Sequence, residues 1–183
     1  MLRDSAFRYG SVSRTLHWIM AALFAWQFGG MVAKDLLGRG PVTGFWVGTH
    51  GSVGTLLLIL LILRALWALA QAGRRPPYHR GLIGGLARAG HLALYALMAL
   101  IPALALLRQF GSGRPVSVFG LSLSQGGGAK VEWMTAPANI LHGNLAWLLL
   151  ALIAGHVLMV VVHRYIWRDD ILPRMVGRAP VHR

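Results

Sequence analysis

Four long hydrophobic stretches alternate with short polar connectors along the chain. They cover approximately residues 16–32, 46–70, 86–107 and 140–167. Each is long enough to cross the hydrocarbon core of a bilayer as an α-helix, which takes about 17–25 apolar residues. The pattern therefore predicts an all-α fold, an integral membrane bundle of four transmembrane helices.

The composition supports this interpretation. Of the 183 residues, 56% are hydrophobic and the mean hydropathy is +0.57, whereas only 13% are charged, about half the share of a soluble domain. Four membrane helices leave no room for a second domain, so residues 1–183 are expected to form one. The chain has no Cys, which excludes a thiolate metal site and covalent haem attachment through a C-x-x-C-H motif.

The formal net charge is +13, from 18 Lys and Arg against 5 Asp and Glu. The basic residues lie in connectors beside the apolar spans, so contact with membrane lipid explains them better than nucleic acid binding, for which the chain has no soluble module. They concentrate before the first span, between the second and third, and after the fourth. Because cytoplasmic connectors carry the excess of Lys and Arg, we expect both termini to be cytoplasmic.

The fourth span carries three histidines on one face. His142, His156 and His163 are separated by 14 and then 7 residues, spacings that return to within about 40° and 20° of the same direction at about 100° per residue. His142 and His156 are also roughly 21 Å apart along the axis at 1.5 Å per residue, one near each edge of the hydrocarbon core. Polar side chains at such depths are costly and are candidates for function.

Two further histidines match these depths. His17 lies at the start of the first span and His50 near the start of the second, which runs in the opposite direction. His50 is therefore expected level with His142, and His17 level with His156. Two imidazoles from different helices at each of two levels are the arrangement needed for two stacked haems, each with two axial histidines on its iron. We therefore predict two haem b groups with these four histidines as the metal ligands.

Other polar residues are predicted near the inner level. Arg64 lies 14 residues after His50 and faces roughly the same way one level further in, which favours pairing with haem propionates over snorkelling to the surface. His163 is either a proton donor to a quinone or an interfacial histidine. His91 competes with His17 as the inner ligand and is otherwise a quinone-pocket residue.

The same residues allow two non-haem alternatives. A closed zinc site is disfavoured, because two histidines per level without a carboxylate or thiolate are a poor ligand set. A non-redox protein could use the histidines as proton relays; inverted repeats would favour a transporter of that kind, and none is evident. Between the spans, Ser13 is predicted to cap the first helix, and the Gly- and Ser-rich connector 108–137 is predicted to be irregular.

Five short motifs resemble the prokaryotic cytochrome b561 family. They are R-T-L-H-W at 14–18, T-H-G at 49–51, H-L-A-L-Y at 91–95, L-H-G-N at 141–144 and H-R-Y-I-W-R-D at 163–169. The resemblance runs over nearly the whole chain and implies a four-helix bundle of the bacterial inner membrane with two b haems. It matches His17 and His156 to the ligands of one haem, His50 and His142 to those of the other, and His163 to a histidine at the quinone end.

The resemblance also implies an activity. One enzyme of the family passes electrons from periplasmic superoxide to ubiquinone, so we expect a superoxide:quinone oxidoreductase in which quinone is reduced near His163 and Arg64. A lysine that binds quinone in that enzyme has no lysine counterpart here, which leaves Arg75 or Arg80 as substitutes. A basic outer rim (Arg108, Arg114 and Lys130) would attract an anionic donor. The alternative is a non-catalytic electron-transfer subunit that serves a periplasmic redox protein.

Overall fold

The computed structural model describes residues 1–78, 81–169 and 171–177. The four hydrophobic stretches form long helices that are sufficiently apolar to cross a membrane, which confirms the predicted four-helix bundle. The helices are α1 (Ser11–Leu37), α2 (Pro41–Gly48), α3 (His50–Ala70), α4 (Gly81–Gly111), α5 (Glu132–Val161) and α6 (Ile171–Val176). Only Thr49 separates α2 from α3, so the two together make the second span. A π-helical turn, Val162–Trp167, extends α5.

Side chains of three helices meet in a core at the middle of the bundle. Met20 of α1 packs against Val53, Leu57 and Leu61 of α3, and partly buried residues of α4 complete the cluster. Large aliphatic side chains elsewhere are exposed, for example Leu92 with 72% of its surface accessible. An outward apolar face without a protein partner is what a lipid-facing helix requires.

The connector between α4 and α5 contains a β-hairpin where the sequence indicated an irregular segment, so that prediction was wrong in part. Strand β1 (Val116–Val118) pairs antiparallel with β2 (Leu121–Ser124). Phe119 and Gly120 make the turn, both with positive φ. The Phe119 backbone N–H donates to Ser52 Oγ at 2.9 Å, so the hairpin rests on the first turn of α3. We call this the hairpin end of the bundle.

The opposite end, here the terminal end, is closed by residues 1–10, which we call the N-terminal strap. The Asp4 carboxylate is fully buried and accepts hydrogen bonds from the Gly10 N–H, the Ser13 hydroxyl and Arg75 Nε. Gly10, not Ser13, precedes the first residue of α1, so the prediction that Ser13 caps this helix was wrong. The Tyr9 N–H donates to the Arg174 carbonyl at 3.3 Å, which joins the strap to α6.

Candidate functional site

An imidazole pair lies at the hairpin end. His50 is the first residue of α3 and His142 lies in α5, and their ring centroids are 6.0 Å apart at an interplanar angle of 69°. His142 Nδ1 is 3.2 Å from the Ile101 carbonyl of α4. Because a carbonyl only accepts, Nδ1 carries the proton and Nε2 keeps a lone pair. That is the state in which histidine binds a metal through Nε2.

A second pair lies at the terminal end. The rings of His17 in α1 and His156 in α5 have centroids 6.4 Å apart at 76°. His91 of α4 approaches His156 from another side, with centroids 5.3 Å apart. His91 Nδ1 donates to the Ala87 carbonyl at 2.7 Å. The predicted level pairs are therefore both brought together, and His91 joins the terminal one.

The spacing of both pairs fits a haem between the rings. Two imidazoles that bind opposite sides of one metal at about 2 Å each have ring centroids about 6 Å apart. The separations of 6.0 Å for His50 and His142 and 6.4 Å for His17 and His156 match this value. The 5.3 Å between His91 and His156 is shorter, so His17 fits the axial position opposite His156 better than His91 does.

Arg64 is held inside the bundle. Its Nη1 lies 2.8 Å from His17 Nδ1, and its Nε donates to the Tyr95 hydroxyl at 3.0 Å. A guanidinium only donates, so His17 Nδ1 is the acceptor in this contact. The side chain thus turns toward the terminal pair, where a positive charge can meet an anionic group such as a carboxylate.

Polar atoms and small residues surround the hairpin-end pair. Gln27 Nε2 donates to the His50 carbonyl at 2.9 Å. Gln27 Oε1 and Trp46 Nε1 are buried without a hydrogen-bond partner in the described part of the chain, and such atoms are uncommon unless a ligand satisfies them. A Cβ at Gly143, next to His142, would have no protein atom within 4 Å. The Gln27 amide, which is held against the His50 backbone, therefore has an oxygen that a polar ligand beside this pair could satisfy.

Gly30 shows the other use of a membrane glycine. A Cβ at this position would come within 2.7 Å of the Trp46 ring, so Gly30 allows close contact between α1 and α2. This glycine serves helix packing, whereas Gly143 lies at an exposed position beside His142.

His163 lies at the terminal end within the π-helical turn. Its Nδ1 is 2.5 Å from Asp169 Oδ2, and its ring meets the Trp167 ring edge-on with centroids 4.5 Å apart. The His163 side chain is 12% exposed. The sequence indicated Asp169 only as part of the motif at 163–169. Its contact with His163 was not predicted, because a regular helix would not bring the two side chains together.

Arg75 and Arg80 are the two basic residues proposed as substitutes for a quinone-binding lysine. Arg75 is engaged by the N-terminal strap, with Nε 3.1 Å from Asp4 Oδ2 and its guanidinium 5.8 Å from the centre of the Tyr9 ring. Arg80 lies outside the described residues. Nearby, Tyr78 lies between the Arg88 guanidinium at 5.4 Å and the His91 ring at 5.8 Å.

An open cavity of about 600 Å³ lies at the hairpin end, between β1 and the facing ends of α4 and α5. Arg108, Arg114 and Lys130 line it, together with uncharged polar residues. Lys130 forms an exposed ion pair with Glu132 at 2.6 Å. The predicted basic rim therefore forms a concave surface that favours small anions.

Three residues of the terminal end escaped the sequence-based prediction of the site. They are Asp4, which holds Arg75, Tyr95, which holds Arg64, and Tyr78, which contacts His91. A signal existed for Asp4, because the chain has only 5 acidic residues, and an acid amid basic neighbours indicates a specific partner. Tyr95 was part of the motif at 91–95, whereas Tyr78 gave no such signal.

Comparison with known proteins decides the family. The sequence profile of prokaryotic cytochrome b561 matches residues 8–178. The chain is 33% identical to cytochrome b561 homolog 2 of Escherichia coli K12, over 94% of this chain and 93% of that protein. The chain belongs to the prokaryotic cytochrome b561 family. It is also 27% identical to a probable superoxide oxidase, CybB, of Yersinia pestis, over 93% of this chain and 97% of that protein.

Family membership fixes the coarse function of this cytochrome b561. It is a multi-pass protein of the inner membrane that takes part in electron transfer, and b-type haem is the cofactor of the family. Its four membrane helices and its paired imidazoles agree with these properties.

Proposed function

We propose that this cytochrome b561 carries electrons from a donor at the hairpin end, through two haems, to a quinone at the terminal end. One observation carries the proposal: α5 contributes one imidazole to each of two pairs, and both pairs have the spacing of axial ligands. His50 and His142 are the proposed ligands at the hairpin end, and His17 and His156 those at the terminal end. Bound haem supplies a one-electron carrier at each level.

The terminal end is the proposed cytoplasmic side, with both termini there. Arg3, Arg8 and Arg14 precede or begin α1, and Arg74 and Arg75 follow α3 at the same end. This concentration of basic residues is what cytoplasmic connectors carry. The hairpin end then faces the periplasm.

Superoxide is the proposed donor at the hairpin end. The cationic cavity lined by Arg108, Arg114 and Lys130 attracts a small anion and raises its rate of encounter. The similarity to a protein named probable superoxide oxidase supports the same choice. The activity is then that of a superoxide:quinone oxidoreductase, with ubiquinone as the acceptor.

The proposed acceptor site lies around His163 at the terminal end, with Arg64, His91 and Arg75 as its further residues. Arg80, outside the described residues, is a further candidate from the sequence alone. Arg64 touches His17 and supplies a positive charge beside the inner haem. With Nδ1 accepting from Arg64, a neutral His17 carries its proton on Nε2. A neutral His17 that bound iron through Nε2 would carry this proton on Nδ1 instead. A protonated Nδ1 cannot accept from a guanidinium, so the contact with Arg64 would change when the haem is bound.

Rapid mixing tests the proposed function. The purified haem-loaded protein is mixed with superoxide, and the absorbance of the haems is followed. Reduction of the haems, followed by reoxidation on addition of ubiquinone, is the expected result. If superoxide leaves the haems oxidised, the oxidase proposal fails. Reduction only by a co-purifying periplasmic redox protein would instead identify the chain as a non-catalytic electron-transfer subunit.

A further inference from the structure

The end of α5 departs from regular helix geometry in two consecutive places. Val162–Trp167 forms a π-helical turn, and the next residue, Arg168, is left-handed with φ 55°. In an uninterrupted α-helix, Asp169 would lie roughly 9 Å beyond His163 and about 120° around the axis. Instead the Asp169 N–H donates to the His163 carbonyl at 3.1 Å. The two irregularities fold Asp169 back onto His163, and such irregularities recur at functional sites.

The Asp169 carboxylate, which folds back onto α5, fixes the orientation of the His163 imidazole. Asp169 Oδ2 is 2.5 Å from His163 Nδ1, and its other oxygen, Oδ1, accepts from the Ile171 N–H at 3.3 Å. The edge of the Trp167 ring limits rotation of the imidazole from another side. Because a carboxylate only accepts, Nδ1 of His163 holds its proton, so proton exchange on this ring takes place at Nε2.

We propose that Asp169 is a positioning residue, which holds His163 in the tautomer and orientation that deliver protons to the quinone. This inference rests on the proposed function and deepens its acceptor site. Reduction of a quinone to a quinol takes two electrons, which the outer donor supplies one at a time, and two protons. In each proton transfer the Nε2–H bond of doubly protonated His163 breaks and an O–H bond forms on the quinone. His163 keeps Nδ1–H on Asp169 and regains its Nε2 proton from water at the terminal end.

Two substitutions separate a hydrogen-bond role from a packing role. Asp169→Ala removes the acceptor, whereas Asp169→Asn keeps an oxygen that can accept from His163 Nδ1. We expect Asp169→Ala to lower kcat for reoxidation of the haems by ubiquinone about 10- to 100-fold, the usual range for loss of an orienting partner. We expect Asp169→Asn to restore most of this loss. The rate of haem reduction by superoxide and the haem content stay unchanged in both variants.

Asp35→Ala is the matched control. Asp35 is also an acid in a short-range pair, with Lys34 at 2.9 Å, but lies at the hairpin end. Its removal leaves reoxidation by quinone at the wild-type rate. An equal loss of kcat in this control overturns the inference, because it assigns the effect to charge alone.

The ¹⁵N NMR spectrum of histidine-labelled protein reports the tautomer of His163, which activity measurements do not. The His163 signals are assigned by their loss in His163→Gln. In the wild type they show a proton held on Nδ1, with Nε2 as the nitrogen that gains and loses its proton, and in the neutral ring of Asp169→Ala they show a mixture of tautomers. Unchanged signals together with unchanged reoxidation kinetics in both Asp169 variants overturn the positioning role. A wild-type protein whose reduced haems are not oxidised by quinone overturns the proposed function instead, whatever the Asp169 variants do to the tautomer.

Discussion

The hairpin end and the terminal end of the bundle place similar pairs of imidazoles in different surroundings. Each holds two imidazoles about 6 Å apart, one of them from α5. At the hairpin end the neighbouring cavity is open and basic, and its charged side chains are exposed. At the terminal end Arg64 is bound on both sides by His17 and Tyr95, and the N-terminal strap covers the connector that follows α3.

The two ends therefore share their ligand geometry but differ in the chemical groups that surround it. Similar imidazole spacings provide similar haem positions, but an open basic cavity suits the entry of a small anion. A terminal end with a carboxylate–histidine pair suits the controlled transfer of protons. The two halves of the proposed reaction are therefore divided between the ends, and each end can be altered without the other.

The largest expected effect comes from removing a single ligand. His142→Ala is expected to abolish haem binding at the hairpin end and to leave the terminal haem in place, so that the pyridine haemochrome assay gives one haem per chain and not two. His156→Ala should remove the other haem. Loss of both haems from the His142 variant, or of neither, contradicts the division into two independent pairs.

His91→Ala provides the matched control for these substitutions. The ring of His91 is close to His156, yet its spacing is short for an axial partner. The variant should therefore keep two haems per chain with unshifted Soret maxima. A variant with one haem would assign the axial position to His91 and remove His17 from it.

The N-terminal strap should stabilise the terminal end strongly. Asp4→Ala leaves the partly buried Arg75 and Ser13 without their shared acceptor, and loss of one partner of a buried ion pair typically costs about 3–5 kcal/mol. Thermal unfolding in detergent measures the effect. Asp35→Ala is the control at the hairpin end, where an exposed pair contributes about 0–1 kcal/mol. Equal destabilisation by both substitutions would show that the strap stabilises the protein no more than an exposed ion pair does.

The cationic cavity should control the rate of donor capture. Arg114→Glu is expected to lower the second-order rate constant for haem reduction by superoxide about tenfold at low ionic strength, because it reverses a charge on the path of the anion. Added salt should narrow the difference by screening. Arg164→Glu, an exposed site at the terminal end, should have no such effect, and an equal loss there would remove the cavity from the mechanism.

The smallest effect concerns pH. Burial raises the pKa of Tyr9 above its usual value of 10.0, with a further contribution from Tyr78. The folded protein then binds this proton more tightly than the unfolded chain does. The contribution of Tyr9 to stability is thus complete below about pH 10 and is lost as the pH rises through the folded pKa. Unfolding temperatures between pH 8 and 11 should fall more steeply for the wild type than for Tyr9→Phe, and parallel curves would contradict this assignment.

The spans and the histidine pairs were predictable because their signals are local. Runs of apolar residues define membrane helices directly, and helical rise converts the 14 residues between His142 and His156 into depth. The pairing by level then required only that consecutive spans run in opposite directions. The ligand roles of these histidines remain predictions, which the observed ring spacing supports.

The features that escaped prediction depend on distant partners or irregular backbone. Asp4 acquires its role from Gln71 and Arg75, more than sixty residues away. Asp169 reaches His163 only through a π-helical turn and a left-handed Arg168, which no periodic pattern encodes. The hairpin had a usable signal, because V-S-V-F-G-L-S-L-S alternates about a turn, but the surrounding glycines favoured an irregular segment.

The N-terminal strap also determines the order in which contacts form while the chain is made and inserted into the membrane. Its acceptors and donors come from α1, from the connector after α3 and from α6, through Ser13, Arg75 and Arg174. The strap precedes all four spans along the chain and therefore completes its contacts last, after every span has been inserted. Asp4 receives its last donor when Arg75 emerges after α3, whereas Tyr9 reaches the Arg174 carbonyl only once α6 is made. A chain that stalls before α6 therefore lacks the contact between the strap and the last helix.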